Sequence, residues 1–300
     1  MKVRGQARND VHGWVVLDKP AGMTSTHAVS RLKRIFNAKK AGHAGTLDPL
    51  ATGVLPVAFG EATKTVPFVQ DGEKTYCFTV RWGIETDTDD SDGRLTAQSD
   101  ARPADDAILA LLPRFTGTIL QLPPSYSAIK INGERAYDLA RGGATPVLSP
   151  RRATIHALDL IDAGRDEAVF EARCGKGTYV RALARDLGRH LGCYGHVSAL
   201  RRTRVGPFFE TDAVRLPDFD GDASCARALR RVEAGLSELP RVVVDSSTAA
   251  KLRRGQSVLL RGHDAPFDGI AYAAYCGAVI AVGAVEKGEL TPGRVFNLPL

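Results

Sequence analysis

A chain of 300 residues, 44% apolar and 25% charged, is long enough to bury a sizeable core without metal or disulfide staples and fits about two domains. Its 40 Lys+Arg outnumber 34 Asp+Glu, a net charge of +6 that favours an anionic partner such as nucleic acid. Five scattered cysteines (77, 174, 193, 225 and 276) form no Cys-x-x-Cys pair, which excludes a disulfide framework and a zinc ribbon and points to a reducing cytoplasm.

Trp14 to Asp18 reads as a short buried strand stopped by Lys19-Pro20-Ala21-Gly22. Thr24, Ser25 and Thr26 then offer N-caps to a helix on which Val29, Leu32 and Phe36 recur at helical spacing. That helix and its exit carry Arg31, Lys33, Arg34, Lys39 and Lys40, with no acid among residues 27–40. Gly53 to Phe59 is a second apolar strand. From Lys74 to Trp82, the residues Tyr76, Phe78, Val80 and Trp82 alternate with Cys77, Thr79 and Arg81, so one face of a strand is apolar and aromatic. Ala104 to Phe115 reads as a helix.

Composition shifts between Leu122 and Pro150. Four prolines and several glycines surround a short helix near Glu134 to Arg141, and Lys130, Arg135, Arg141, Arg151 and Arg152 add positive charge. This is the pattern of an excursion from a sheet. Strands follow at Thr154–Leu160 and Ala168–Cys174, then a helix from Tyr179 to Leu191 with Val180, Leu183, Ala184, Leu187 and Leu191 on one face. Residues 212–240 form a polar, helical connector. From Arg241 onward, short β-runs surround one helix capped by Asp245 and stopped by Gly255, about the content of a small, mostly β module. Within it, Gly269 to Val285 holds 17 residues without a charge, short of the roughly 20 apolar residues of a membrane span. Cys276-Gly277 makes this run a buried hairpin, and no membrane is implied. The polar N-terminal stretch lacks the apolar core of a signal peptide.

The acidic stretch Glu85 to Gly93 suggests a calcium loop until its register is tested. Placing Gly93 at the sixth loop position puts Thr88 at the first and Ser99 at the twelfth, where Asp and a bidentate Glu are required. It reads instead as a polar turn after a strand. No glycine-rich phosphate loop occurs, and the seven histidines show no metal spacing. The segment Ala41 to Gly53 is more informative: a glycine-punctuated loop with one imidazole, His43, and one carboxylate, Asp48, just before an apolar strand. On local chemistry alone, Asp48-Pro49 is a helix N-cap with proline at the first helical position.

The order of motifs says more than any one of them. Gly13 to Ser25 with its Lys-Pro turn, Ala41 to Gly53, Gly60-Glu61-Ala62-Thr63-Lys64, Lys74-Thr75-Tyr76, Gly175 to Arg181 and Leu200-Arg201-Arg202-Thr203 resemble, in sequence, the segments of the tRNA pseudouridine-55 synthases, the TruB family. The resemblance covers residues 13 to 210, extends loosely into the C-terminal module, and departs from the family at no catalytic position. It implies an α+β (mixed α/β) protein: a catalytic domain over residues 1–235 on a largely antiparallel central sheet, an RNA-binding insertion at 123–152, and a PUA-like RNA-binding module over 241–300. It also implies roles. Asp48 is the nucleophile, Tyr76 stacks on the base and takes the C5 proton, and Arg181 pairs with the Asp48 carboxylate. His43 holds the everted nucleotide, Leu200 packs the pocket, and Asp90, Tyr179 and Lys19 complete the substrate-binding set.

The implied substrate is the T-arm stem-loop of tRNA, met in the cytoplasm by a monomer that needs no guide RNA or protein partner. Pseudouridylation moves the base from an N1 to a C5 linkage and relocates one proton, so no cofactor or metal is implied. Three other readings share these residues: a relative that modifies another RNA, including the guide-directed branch of the superfamily, a tRNA chaperone that grips without chemistry, and a uracil or nucleoside glycosylase. The short chain, without Lys-rich tails, argues against the first. Release of free uracil would mark the last.

Overall fold

The computed structural model describes residues 7–127, 130–131, 134–135, 148–261 and 265–299. The chain runs β1 (Gly13–Lys19), α1 (Ser25–Ile35), β2 (Ala41–His43), β3 (Thr52–Phe59), α2 (Val66–Asp71), β4 (Lys74–Trp82), β5 (Ile84–Thr86), β6 (Leu95–Gln98), α3 (Asp105–Leu111) and β7 (Gly117–Gln121). It continues through β8 (Lys130–Ile131), β9 (Glu134–Arg135), β10 (Arg151–Ala163), β11 (Glu167–Cys174), α4 (Val180–His190), β12 (Gly195–Val205), β13 (Phe208–Phe209) and α5 (Asp222–Ala228). The last elements are β14 (Arg241–Val243), α6 (Ser246–Arg253), β15 (Val258–Leu259), β16 (Gly269–Tyr275), β17 (Ala278–Glu286) and β18 (Glu289–Val295). This is the mixed α/β content that the sequence implies. The helix expected near Glu134 to Arg141 falls mostly outside the described residues, and Glu134 and Arg135 themselves are a strand. The helix expected to reach Phe115 stops at Leu111. Leu112–Phe115 is a 3-10 turn, because Pro113 lacks the N–H that another α-turn needs.

Two compact units divide the chain: Met1–Asp48, Val54–Asp71 and Val205–Leu300 form one, and Pro49–Gly53 with Gly72–Arg204 the other. The first is built around β1, whose residues 14–17 are at most 1% exposed, as an unbroken apolar run requires. Trp14 packs on Phe208 with ring centroids 5.1 Å apart, and its indole N–H donates to Thr65 Oγ1 at 3.2 Å. The same core takes in Val54, Val232 and Leu236 and, from the C-terminal strands, Tyr272, Val282 and Phe296. Those strands form a sheet ordered β14-β16-β17-β18-β15, with a second core of Leu252, Ala273, Ile280 and Leu290. The chargeless run is the expected hairpin. Cys276 and Gly277 take φ of +47° and +77°, the left-handed pair that a two-residue turn needs. Asp245 caps α6 by accepting from the Thr248 N–H. The Gly60–Lys64 motif ties down the chain's end: Glu61 accepts from the Asn297 N–H at 2.7 Å, and Lys64 donates to the Val295 carbonyl at 2.8 Å.

The second unit is a sheet ordered β12-β4-β11-β10-β7, antiparallel from β4 to β7. The alternation read in β4 becomes alternation in burial. Phe78, Val80 and Trp82 are at most 2% exposed, while Arg81 faces solvent. Phe78 stacks on Phe170 with centroids 5.4 Å apart. At the start of β3, Thr52 and Gly53 pair in parallel with Arg201 and Arg202. Gly53 has φ +97°, and a Cβ there would stand 2.2 Å from the Arg202 carbonyl oxygen. Gly53→Ala is therefore expected to destabilise the protein by roughly 1–3 kcal/mol or more, read as a lower urea midpoint. An unchanged midpoint would refute the close approach.

Candidate active site

The first unit holds Lys19, His43 and Asp48; the second holds Tyr76, Asp90, Tyr179, Arg181 and Leu200. In the first, β2 delivers half-buried His43 opposite Val57 of β3. Residues 44–51 then leave the sheet, neither helix nor strand, until β3 begins at Thr52. Asp48-Pro49 is therefore not a helix N-cap: no helix follows it. The loop is held from a distance. Of the three candidate caps for α1, Thr24 takes the role, accepting from the His27 N–H at 3.1 Å. That leaves Ser25 at the first helical position with its hydroxyl turned on Leu47. It donates to the Leu47 carbonyl at 2.9 Å and accepts from the Leu47 N–H at 2.8 Å. Asp48, the next residue, is half-buried. Lys19 is fully buried, and its ammonium donates to the carbonyls of Pro20 (2.9 Å) and Met23 (2.7 Å), closing the turn ahead of α1.

In the second unit, Arg181, Arg185 and Arg189 recur at every fourth residue of α4, which stacks them along one side of the helix. Each meets an acid of the 85–90 stretch. Arg189 takes Glu85 in a two-point grip of 2.6 and 2.7 Å, Arg185 takes Asp89 at 2.9 Å, and Arg181 takes Asp90 at 3.5 Å. The guanidiniums also bind main chain: Arg181 donates to the carbonyls of Thr88 (2.8 Å) and Tyr126 (2.9 Å), and Arg185 to that of Leu122 (2.8 Å). The Asp90 carboxylate accepts from the Thr88 hydroxyl at 2.5 Å and the Asp92 N–H at 3.1 Å. The expected polar turn is present, with Ser91 and Asp92 exposed, but its leading acids are buried: Glu85 and Thr86 at the end of β5 and Asp89 and Asp90 in the turn are between 4% and 8% exposed. Buried charges persist when they are paired and hydrogen-bonded, and the arginine ladder supplies both. Burial pushes the Asp89 carboxyl up to about 6, against the pull of the Arg185 and Arg181 cations.

The remaining expected site residues line the same sheet and helix. Tyr76 is half-buried on β4, opposite Ala172 of β11. Tyr179 precedes α4, where its N–H donates to Gln121 Oε1 (3.1 Å) and its carbonyl accepts from Gln121 Nε2 (3.3 Å). Leu200 is buried on β12. Of the basic run after it, Arg202 is 1% exposed and Arg204 bonds Glu73 at 2.9 Å, so these two cations are built into the fold. The resemblance expects Arg181 to pair with Asp48; the acid that the structure sets within ion-pair distance of it in the second unit is Asp90, at 3.5 Å. Sequence reasoning misses Asp89, Gln121, Arg185 and Arg189, although the four-residue arginine spacing is visible, and it reads Ser25 only as a cap. Among the described residues, no cluster of His, Cys, Asp and Glu has the arrangement of a metal site, and no helix is long and apolar enough to cross a membrane.

The fold is of the Cbf5/TruB pseudouridine synthase type. The crystal structure of a Cbf5-Nop10-Gar1 complex matches with a TM-score of 0.73 and 27% identity, over 96% of this chain and 84% of that one. The structure of an H/ACA RNP bound to a substrate RNA containing 2′-deoxyuridine shares the fold at a TM-score of 0.75 and 24% identity, over 96% and 86% of the two chains. The model of the TruB family pseudouridylate synthase N-terminal domain matches residues 33–180, and that of the tRNA pseudouridylate synthase B C-terminal domain matches residues 181–249. Proteins named tRNA pseudouridine synthase B are 62% identical in Bradyrhizobium diazoefficiens, over 97% of this chain and 87% of that protein, and 60% identical in Rhodopseudomonas palustris, over 97% and 82%. The chain belongs to the TruB family of pseudouridylate synthases, which are isomerases.

Proposed function

We propose that this enzyme converts uridine 55 in the T-arm of tRNA to pseudouridine, with Asp48 as its nucleophile. The observation that carries the proposal is the 62% identity, across 97% of the chain, to the tRNA pseudouridine synthase B of Bradyrhizobium diazoefficiens. In the reaction the N1–C1′ bond breaks, the uracil turns, and a C5–C1′ bond forms. The C5 proton leaves and N1 gains one, so nothing is oxidised or reduced. What the step needs is a carboxylate that stays ionised in a pocket dry enough to retain the detached base. Desolvation raises a carboxyl pKa and a nearby guanidinium opposes it; Arg181 is the cation we assign to Asp48. Attack at ribose C1′, removal of the 2′ proton and addition to uracil C6 all use this same carboxylate.

Everting the target base costs a few kcal/mol of stacking, and an aromatic platform returns roughly 1–3 kcal/mol. Tyr76 is that platform and accepts the C5 proton. His43 holds the displaced nucleotide, Leu200 packs the pocket, and Asp90, Tyr179 and Lys19 complete the binding set. Residues 1–235 act as the catalytic domain and 241–300 as a PUA-like RNA-binding module, in a monomer working in the cytoplasm. The exposed Arg31 and Arg34 of α1 suit a grip on phosphates, which also supports a tRNA-folding role that requires no chemistry. The test is tritium release from C5-labelled uridine in an unmodified tRNA transcript, without added metal or nucleotide. Release is expected from the native transcript and not from one with cytidine at position 55. Equal release from both would refute the assigned site, and free uracil among the products would identify a glycosylase.

A further inference from the structure

We infer that Ser25 is the positioning residue of the nucleophile loop: its hydroxyl sets the peptide plane from which Asp48 projects. The inference rests on the assignment of Asp48 as nucleophile. The Leu47 carbonyl and the Asp48 nitrogen and Cα share one rigid peptide plane, so whatever fixes that carbonyl fixes the base of the Asp48 side chain. Ser25 Oγ donates to it at 2.9 Å and, at the same time, accepts from the Leu47 N–H at 2.8 Å. The two bonds grip Leu47 on both sides of its Cα.

The grip is dry and its anchor is firm. Ser25 is 2% exposed and Leu47 4%, so water does not compete for these groups and each bond is stronger than at a surface. Ser25 sits in the first turn of α1, which Thr24 caps and which Ala28 and Leu32, both fully buried, tie to the core. The residues around Asp48 form neither helix nor strand, so regular backbone pairing does not set the loop's shape. The hydroxyl is used as donor and acceptor together, a requirement that alanine fails on both counts.

Single-turnover tritium release tests this on the full-length enzyme. Ser25→Ala is expected to slow the step about 10- to 100-fold while tRNA affinity stays within about twofold, since a misplacement near 1 Å costs that much in rate. Ser25→Cys, which keeps a weak donor and acceptor, is expected to recover part of the rate, and it carries the comparison if the alanine variant does not fold. Thr24→Ala removes the cap of the same helix but leaves the Leu47 bonds, so it is expected to lower the unfolding midpoint and not the rate. A Ser25→Ala rate within about threefold of wild type overturns the inference. So does a rate loss matched by Thr24→Ala or accompanied by weaker tRNA binding, either of which marks general loss of structure. Asp48→Asn run alongside separates the two claims: turnover by that variant refutes the nucleophile itself, independently of Ser25.

Discussion

Asp48→Asn is expected to bind tRNA as wild type does and to release tritium at least about 10⁴-fold more slowly, the scale seen when a nucleophile is removed. The substitution keeps size and shape and deletes only the anion. It leaves untouched the two bonds from Ser25 to the main-chain N–H and carbonyl of Leu47. A single-turnover assay gives the rate and a titration with labelled transcript gives the affinity. Appreciable turnover would remove Asp48 from the chemistry. The same variant separates modification from folding: loss of tRNA refolding along with modification would make a separate folding role untenable.

What was legible in the sequence and what was not divides along chain distance. The alternation from Tyr76 to Trp82 and the chargeless hairpin are written in adjacent residues, so periodicity alone finds them. The Asp48 loop is different. Local chemistry favours a helix cap there, but the competing partner, Ser25, is 22 positions away and wins by tertiary placement. The acidic stretch is harder still. Asp89 and Arg185 are 96 positions apart, and charged residues are almost never fully buried unless paired. An acid run therefore reads as solvated until α4 is laid against it. The resemblance to the TruB family supplies Asp90 and Arg181, because a family pattern carries long-range pairing that a single chain's periodicity does not. Arg185 and Arg189 carry no such family flag; their four-residue spacing is visible in the sequence, but their acidic partners come only from the coordinates.

Arg185 carries the second large effect. Arg185→Ala is expected to destabilise the protein by about 3–5 kcal/mol, since it strands the Asp89 carboxylate, whose side chain is 7% exposed, without its 2.9 Å partner. The Leu122 carbonyl loses a donor as well. Replacing both partners, Arg185→Met with Asp89→Leu, should recover most of that loss, because an unpaired buried charge costs more than an absent pair. The pH dependence gives an independent check on the pair. Asp89 titrates at about 6 in the fold, above its ordinary value of 3.8. As pH falls from about 6 to about 4, the folded carboxyl takes up a proton that the unfolded one does not yet hold. Wild type must therefore gain stability relative to Asp89→Asn across that window, and lose it again as pH rises. In Arg185→Ala the opposing cation is gone, so the gain begins at higher pH. Urea midpoints for the three proteins between pH 4.5 and 7.5 measure this. A constant wild-type-minus-Asp89→Asn difference would mean that Asp89 is ionised throughout, held by the ladder against the full effect of its burial.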